Sequence, residues 1–287
     1  LTTADERKRR RGIYLLPSLF TTGALFAGFF AIVAALQGNF TPAAIAILIA
    51  MVLDGLDGRV ARMTDTQSDF GAEYDSLSDM VSFGVAPALI VYEWSLKHVG
   101  EIAASWSQLG WLVAFIYTAC CALRLARFNT QVGKADKRFF QGLASPSAAA
   151  VMVGMVWVAR SFGISGQDLM TLAFVVTLAS GLLMVTSLPY YSFKDLGGHR
   201  RVPFITMLAV VMLFVFATID PPVVIFAGFA LYALSGPAWW GFRRLRRRGR
   251  RHAGAGGEGE AGAPGDDPGA GAGQEPGPHV DDDAGRN

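Results

Sequence analysis

Four aspartates carry the chemistry that can be read from this sequence: Asp54, Asp57, Asp75 and Asp79, within "LDGLDGRVARMTDTQSDFGAEYDSLSD". Asp54 and Asp57 stand at i and i+3, with Gly58, Ala61 and Arg62 on the same side of one predicted helix. A polar turn, "MTDTQSDF", follows, and Gly71, Asp75 and Asp79 are then spaced by four along the next helix. Two antiparallel helices joined by so short a turn bring these faces together, and four carboxylates converge. Four acids repel one another, and Arg62 alone cannot compensate them; divalent cations can. An all-oxygen site suits hard ions such as Mg²⁺ or Mn²⁺. Two ions would also ready the site for phosphates, because paired metals clamp the attacking and leaving oxygens of a displacement at phosphorus. Gly58 and Gly71 lack side chains, so a nucleotide can approach the helix backbones, and Arg62 can pair with a phosphate oxygen. Asp65 and Asp69 fall in the turn, off both faces, and read as solvated charges.

The elements that must position these acids are apolar. The 287 residues are 52% hydrophobic and 17% charged, with a mean hydropathy of +0.36; a soluble chain carries about 25% charged residues. Eight apolar runs, about 15–37, 41–63, 71–97, 106–129, 145–161, 167–187, 201–218 and 221–239, approach the roughly 20 residues that cross a bilayer. The expected fold is all-α, a polytopic membrane bundle of about eight spans. The first run follows "ERKRRR" and could be taken for a signal peptide, but its length and the seven runs after it point to a retained span. Cys120 and Cys121 are adjacent within a predicted span, a placement that argues against a structural disulfide between them. Acids close to a membrane are costly and mark function by default. A cation transporter would distribute them through the membrane depth, whereas these four sit on one hairpin.

Basic residues orient the bundle, because Lys and Arg accumulate in cytoplasmic loops. With the N-terminus inside, the inner segments hold five at Arg7–Arg11, two at Arg59 and Arg62, and five from Arg124 to Arg138. Lys194, Arg200 and Arg201 add three, "RRLRRRGRR" seven and Arg286 one, making 23 of 25; only Lys97 and Arg160 lie outside. The acid hairpin, between spans two and three, then faces the cytoplasm, as do both termini. The clusters Arg7–Arg11 and Arg243–Arg251 adjoin spans, where anionic headgroups attract them, so they are assigned to membrane lipid and not to nucleic acid. Three regions follow: a basic segment at 1–14, a membrane domain at 15–239 with its catalytic core about 15–187, and a tail at 240–287. That tail is basic at first and then too poor in apolar residues to order itself. The histidines, His98, His199, His252 and His279, are scattered and suggest no catalytic triad. Trp106, Trp111, Trp239 and Trp240 lie near span ends, as interfacial belts require.

The hairpin pattern, D-x2-D-G-x2-A-R-x8-G-x3-D-x3-D, resembles without departure the signature of the CDP-alcohol phosphatidyltransferases, integral-membrane enzymes of phospholipid synthesis. That resemblance implies that Asp54, Asp57 and Asp75 are metal ligands, and that Asp79 shares a metal and acts as the base. It also implies that Gly58, Ala61, Arg62, Ser68 and Gly71 hold the CDP group, and that the protein is a homodimer. "DSLSDMVSFGVAPA", "ALRLARFN", "FQGLASPSAAA" and "LPSLFTTGALFAGFFAI" are similar to the phosphatidylserine synthase branch, with Ala144, Ser18 and Ala24 as departures. The implied reaction moves a phosphatidyl group from CDP-diacylglycerol to L-serine and releases CMP. Other acceptors within the family are glycerol 3-phosphate and inositol phosphates, which would need a denser basic pocket. Arg124 and Arg127, at the cytoplasmic end of span four, could bind a serine carboxylate bidentately. Asn129 adds further polar groups, and Glu73, one residue off the aspartate face, could meet the serine ammonium.

Overall fold

A computed structural model of the chain describes residues 3–64, 68–102, 107–131, 139–191, 215–216 and 218–255. Helix α1 (Thr3–Leu36) turns back through Gly38 into α2 (Phe40–Met63). Next come α3 (Asp69–Asp79), a π-helical segment (Met80–Val85) and α4 (Ala86–Trp94). After a 3₁₀ turn at Leu96–His98 and one short turn of helix, α5 (Val99–Ile102), the chain enters α6 (Ser107–Gln131). Further helices are α7 (Ser145–Ser161), α8 (Met170–Val185) and α9 (Pro221–Ala255). Among the described residues, four helical stretches are long and apolar enough to cross a membrane: Ser18–Leu36, Phe40–Met63, Gln108–Thr130 and Pro221–Gly241. The chain is a helical, multi-pass membrane protein.

Small residues set the packing. The most extensive contact is between α1 and α2, where Ala24, Ala27, Ala31, Ala34 and Ala35 meet Ala43, Ala44, Ala46 and Ala50, all buried. In lipid, helices gain little from burying apolar surface and depend on close van der Waals approach, which alanine permits. On α7 the buried run Ala148–Ala149–Ala150–Val151–Met152–Val153 packs against α2 and α4.

The run at 71–97 reads in the sequence as one span, and the chain is continuously helical from Asp69 to Trp94, with the π segment set inside it. The amide of Ala86 reaches back to the carbonyl of Val81, and the Phe83 carbonyl accepts from the Tyr117 hydroxyl at 2.9 Å. Single-turn bulges of this kind inside α-helices are frequent at functional sites. The bulge also lies where the chain presses on α1: a Cβ on Gly28 would lie 2.5 Å from Ser82 Oγ. Only glycine fits there.

Beside the helices runs a short antiparallel ribbon, β1 (Phe139–Gln141) with β2 (Pro189–Tyr191), in register Phe140 to Tyr190. Gly142, at φ +85°, then turns the chain, and the amides of Gly142 and Leu143 bond the carbonyls of Leu188 and Leu183 at 3.0 Å. Gly142 and Pro146 thus turn the chain into α7. The 201–218 run lies largely outside the described residues. Helix α9 continues through the basic segment to Ala255, and residues 256–287 are outside the described set.

Candidate active site

Helices α2 and α3 form the expected hairpin and bring three of its aspartates together. Asp54, Asp57 and Asp75 each offer a carboxylate oxygen, all within 4.8 Å of one another. Asp79 adjoins Asp54 one turn along α3 from Asp75. Asp57 is 5% exposed, and the others are half-buried. Among the described residues none of the four forms an ion pair; the pairs present are Lys97–Glu93 and His98–Glu101. The Oδ1 of Asp75 is buried and without a hydrogen-bond partner. A buried carboxylate oxygen in that condition costs free energy unless a cation or donor reaches it. Three converging acids with an orphaned oxygen fit a hard divalent ion.

Several of the sequence-selected residues border this cluster. Gly58 is exposed, and a Cβ there would meet nothing within 4 Å, so the backbone of α2 is open above the acids. Arg62 is exposed and folds back along α2, its Nε donating to the Gly58 carbonyl at 2.8 Å. Ala61 is half-buried one residue before it. Ser68 caps α3, accepting from the Gly71 amide at 3.0 Å, which defines where the second arm of the hairpin begins. From α6, Asn129 Nδ2 donates to Ser76 Oγ at 3.0 Å, which seats the end of α6 against α3 between Asp75 and Asp79. Arg127 reaches Ser187 at 3.5 Å. Glu73 is exposed on α3 and stands outside the acid cluster.

Arg124 has a partner that the sequence reading did not identify. Its guanidinium donates to Ser145, fully buried at the start of α7, and its charge lies close enough to act on both Asp54 and Asp79. A positive charge from α6 thus stands near these two acids without forming an ion pair with them. Thr21 was missed as well: on α1, it donates from Oγ1 to Asp57 Oδ2 at 2.9 Å. The neighbouring Thr22 hydroxyl lies 3.0 Å from that of Tyr74 on α3. The available signal was a pair of threonines inside an apolar run, "LFTTGALF", since polar residues in a span usually have a partner.

An apolar cavity of about 620 Å³ runs between α1 and α2, lined by Gly23, Phe26, Phe30, Ile45, Ile49 and Leu53 among others. Phe26, Phe30, Ile45 and Ile49 are exposed on it, and Leu53 directly precedes Asp54. The groove thus leads along two spans to the edge of the acid cluster.

Comparison with known proteins agrees with this arrangement. The family model described as CDP-alcohol phosphatidyltransferase matches residues 14–186, which takes in both arms of the hairpin and α6 to α8. The chain is 34% identical over 205 residues to a CDP-diacylglycerol–serine O-phosphatidyltransferase of Helicobacter pylori, covering 71% of this chain and 83% of that one. It is 41% identical over 189 residues to the protein of that name from Mycobacterium bovis, covering 63% of each. An archaetidylserine synthase of Methanothermobacter thermautotrophicus is 32% identical over 192 residues, covering 66% of this chain and 75% of the relative. The family is divalent-metal-dependent, in keeping with the acid cluster. With the family model spanning more than half its length, the chain belongs to the CDP-alcohol phosphatidyltransferases.

Proposed function

We propose that the chain transfers the phosphatidyl group of CDP-diacylglycerol to the hydroxyl of L-serine, giving phosphatidylserine and CMP. The observation that carries this reading is the convergence of Asp54, Asp57 and Asp75, with Asp79 beside Asp54, in a chain whose relatives are named for that transfer. In this reading the four aspartates hold two divalent ions, Mg²⁺ or Mn²⁺, which when bound neutralise the acids and offset charge developing on the diphosphate. Gly58, Ala61, Arg62, Ser68 and Gly71 take the CDP group, supported by the open backbone above Gly58. The groove between α1 and α2 suits a donor acyl chain, since it is apolar and ends beside Asp54.

Serine's hydroxyl is a poor nucleophile near neutral pH and needs a proton acceptor within reach. Asp79 takes that proton as serine Oγ bonds to the β-phosphorus, which carries the diacylglycerol. The bond from that phosphorus to the bridging oxygen breaks, and the oxygen leaves with CMP. Arg124 and Arg127 offer guanidinium groups to the serine carboxylate, with Asn129 beside them and Glu73 for the ammonium. Protein reconstituted in vesicles containing CDP-diacylglycerol should release CMP when serine and Mg²⁺ or Mn²⁺ are added. Release that ignores serine but responds to glycerol 3-phosphate or an inositol phosphate would overturn the acceptor. Cation flux without CMP release would overturn the enzyme.

Eight spans in a membrane domain at 15–239, both termini and the hairpin turn in the cytoplasm, and assembly as a homodimer complete the reading. The orientation rests on the basic residues, 23 of 25 of which fall on one side of an eight-span arrangement, and the homodimer rests on the family resemblance alone. A cysteine at Thr64, exposed at the end of α2, is expected to resist an impermeant thiol reagent in intact cells and to react after permeabilisation. Labelling from outside would invert the orientation.

A further inference from the structure

We infer that Thr21 is a positioning residue that ties both arms of the acid hairpin to the first membrane helix. Its hydroxyl donates to Asp57 Oδ2 on α2 at 2.9 Å, and its own carbonyl accepts from Ser78 Oγ at 3.1 Å. Thr21 is 5% exposed and Ser78 is 2% exposed. Ser78 lies on α3 between Asp75 and Asp79, so one residue of α1 holds an acid on the first arm and the segment bearing two acids on the second. A turn further along, the Ala24 carbonyl accepts from Ser82 Oγ at 3.1 Å, and Gly28 leaves the room for that side chain.

The physical need is clear from the charges. Asp54, Asp57 and Asp75 lie at close range, where their charges repel and tend to part the two arms. Two buried hydrogen bonds to a third helix oppose that parting. The bond to Asp57 is charge-assisted and therefore of the stronger kind, and it limits the rotamers open to that carboxylate. Groups that orient a metal ligand typically change metal affinity or activity about 10–100-fold when removed. The inference rests on the acid quartet being the metal site.

The test uses the full chain in nanodiscs and reads Mn²⁺ binding by electron paramagnetic resonance, alongside CMP release. Thr21→Val removes the donor at nearly constant shape and should weaken Mn²⁺ binding roughly tenfold or more. Excess Mn²⁺ should then recover much of its activity. Thr21→Ser keeps the hydroxyl and should stay within about threefold of wild type, well short of the loss set by the orienting bond. Thr21→Val with unchanged Mn²⁺ affinity would overturn the inference. If Thr21→Val does not fold, Ser78→Ala decides: it cuts only the second tie and should still lower Mn²⁺ affinity about fivefold or more; unchanged affinity there overturns the clamp. Wild-type protein that binds no Mn²⁺ would overturn the metal-site reading itself, an outcome distinct from either.

Discussion

Asp75→Asn is expected to abolish CMP release at millimolar Mg²⁺ or Mn²⁺, with Asp54→Asn and Asp57→Asn doing the same. Asp75 stands where the two arms meet, within 4.8 Å of both α2 acids, and its Oδ1 is buried without a partner. Asparagine keeps the shape but loses the charge and one acceptor oxygen, so the loss should exceed the roughly 10–100-fold that outer-shell partners cost. The change should not harm the metal-free fold, because it removes a like charge from a crowded cluster. Thermal unfolding in chelator therefore separates the explanations: the variant should melt no lower than wild type. Activity that survives thorough chelation of the wild-type protein, or an Asp75→Asn variant that turns over normally, would remove the metal site.

Asp79→Asn is expected to lower kcat by roughly 10²–10⁴, the usual effect of losing a general base, while weakening CDP-diacylglycerol binding only moderately. Its place explains the split. Asp79 adjoins Asp54 but lies outside the close trio, one turn further toward α6 and Arg124. Asp54 belongs to the trio itself, so Asp54→Asn should impair binding and turnover together. Kinetics at saturating serine, with donor affinity measured separately, distinguish the two. A kcat above about a tenth of wild type in Asp79→Asn would reject it as the base, since even a weak general base contributes about 10²-fold.

The hairpin was legible in the sequence because its information is local. Helical spacings of three and four put Asp54 with Asp57, and Asp75 with Asp79, on single faces whatever surrounds them. The short turn then left one way to bring the faces together. What was not legible depends on partners far apart in the chain. Arg124 to Ser145 spans 21 residues and Thr21 to Asp57 spans 36, and no periodicity encodes a contact at such separation. Hydropathy likewise registers the apolar content of the 71–97 run but not the π segment inside it, where the Phe83 carbonyl meets the Tyr117 hydroxyl of another helix. The ribbon between β1 and β2 pairs strands of three residues about fifty positions apart, too short for any alternation to be read. Glu73 was chosen for lying one residue off the aspartate face, and in the structure it is exposed outside the acid cluster.

The alanine-to-alanine contact of α1 with α2 bears on behaviour in the cold. Helices held together by expelling water lose grip as temperature falls, because apolar hydration becomes less unfavourable on cooling. The Ala24–Ala35 face against Ala43–Ala50 lies in apolar spans, where close packing and not water release supplies the attraction. Its hold on Thr21, and through Thr21 on the acids, is therefore of a kind that does not fade at low temperature. Slower turnover in a chilled membrane would then reflect the chemical step or the stiffening of the lipid around it, with the catalytic frame itself unloosened.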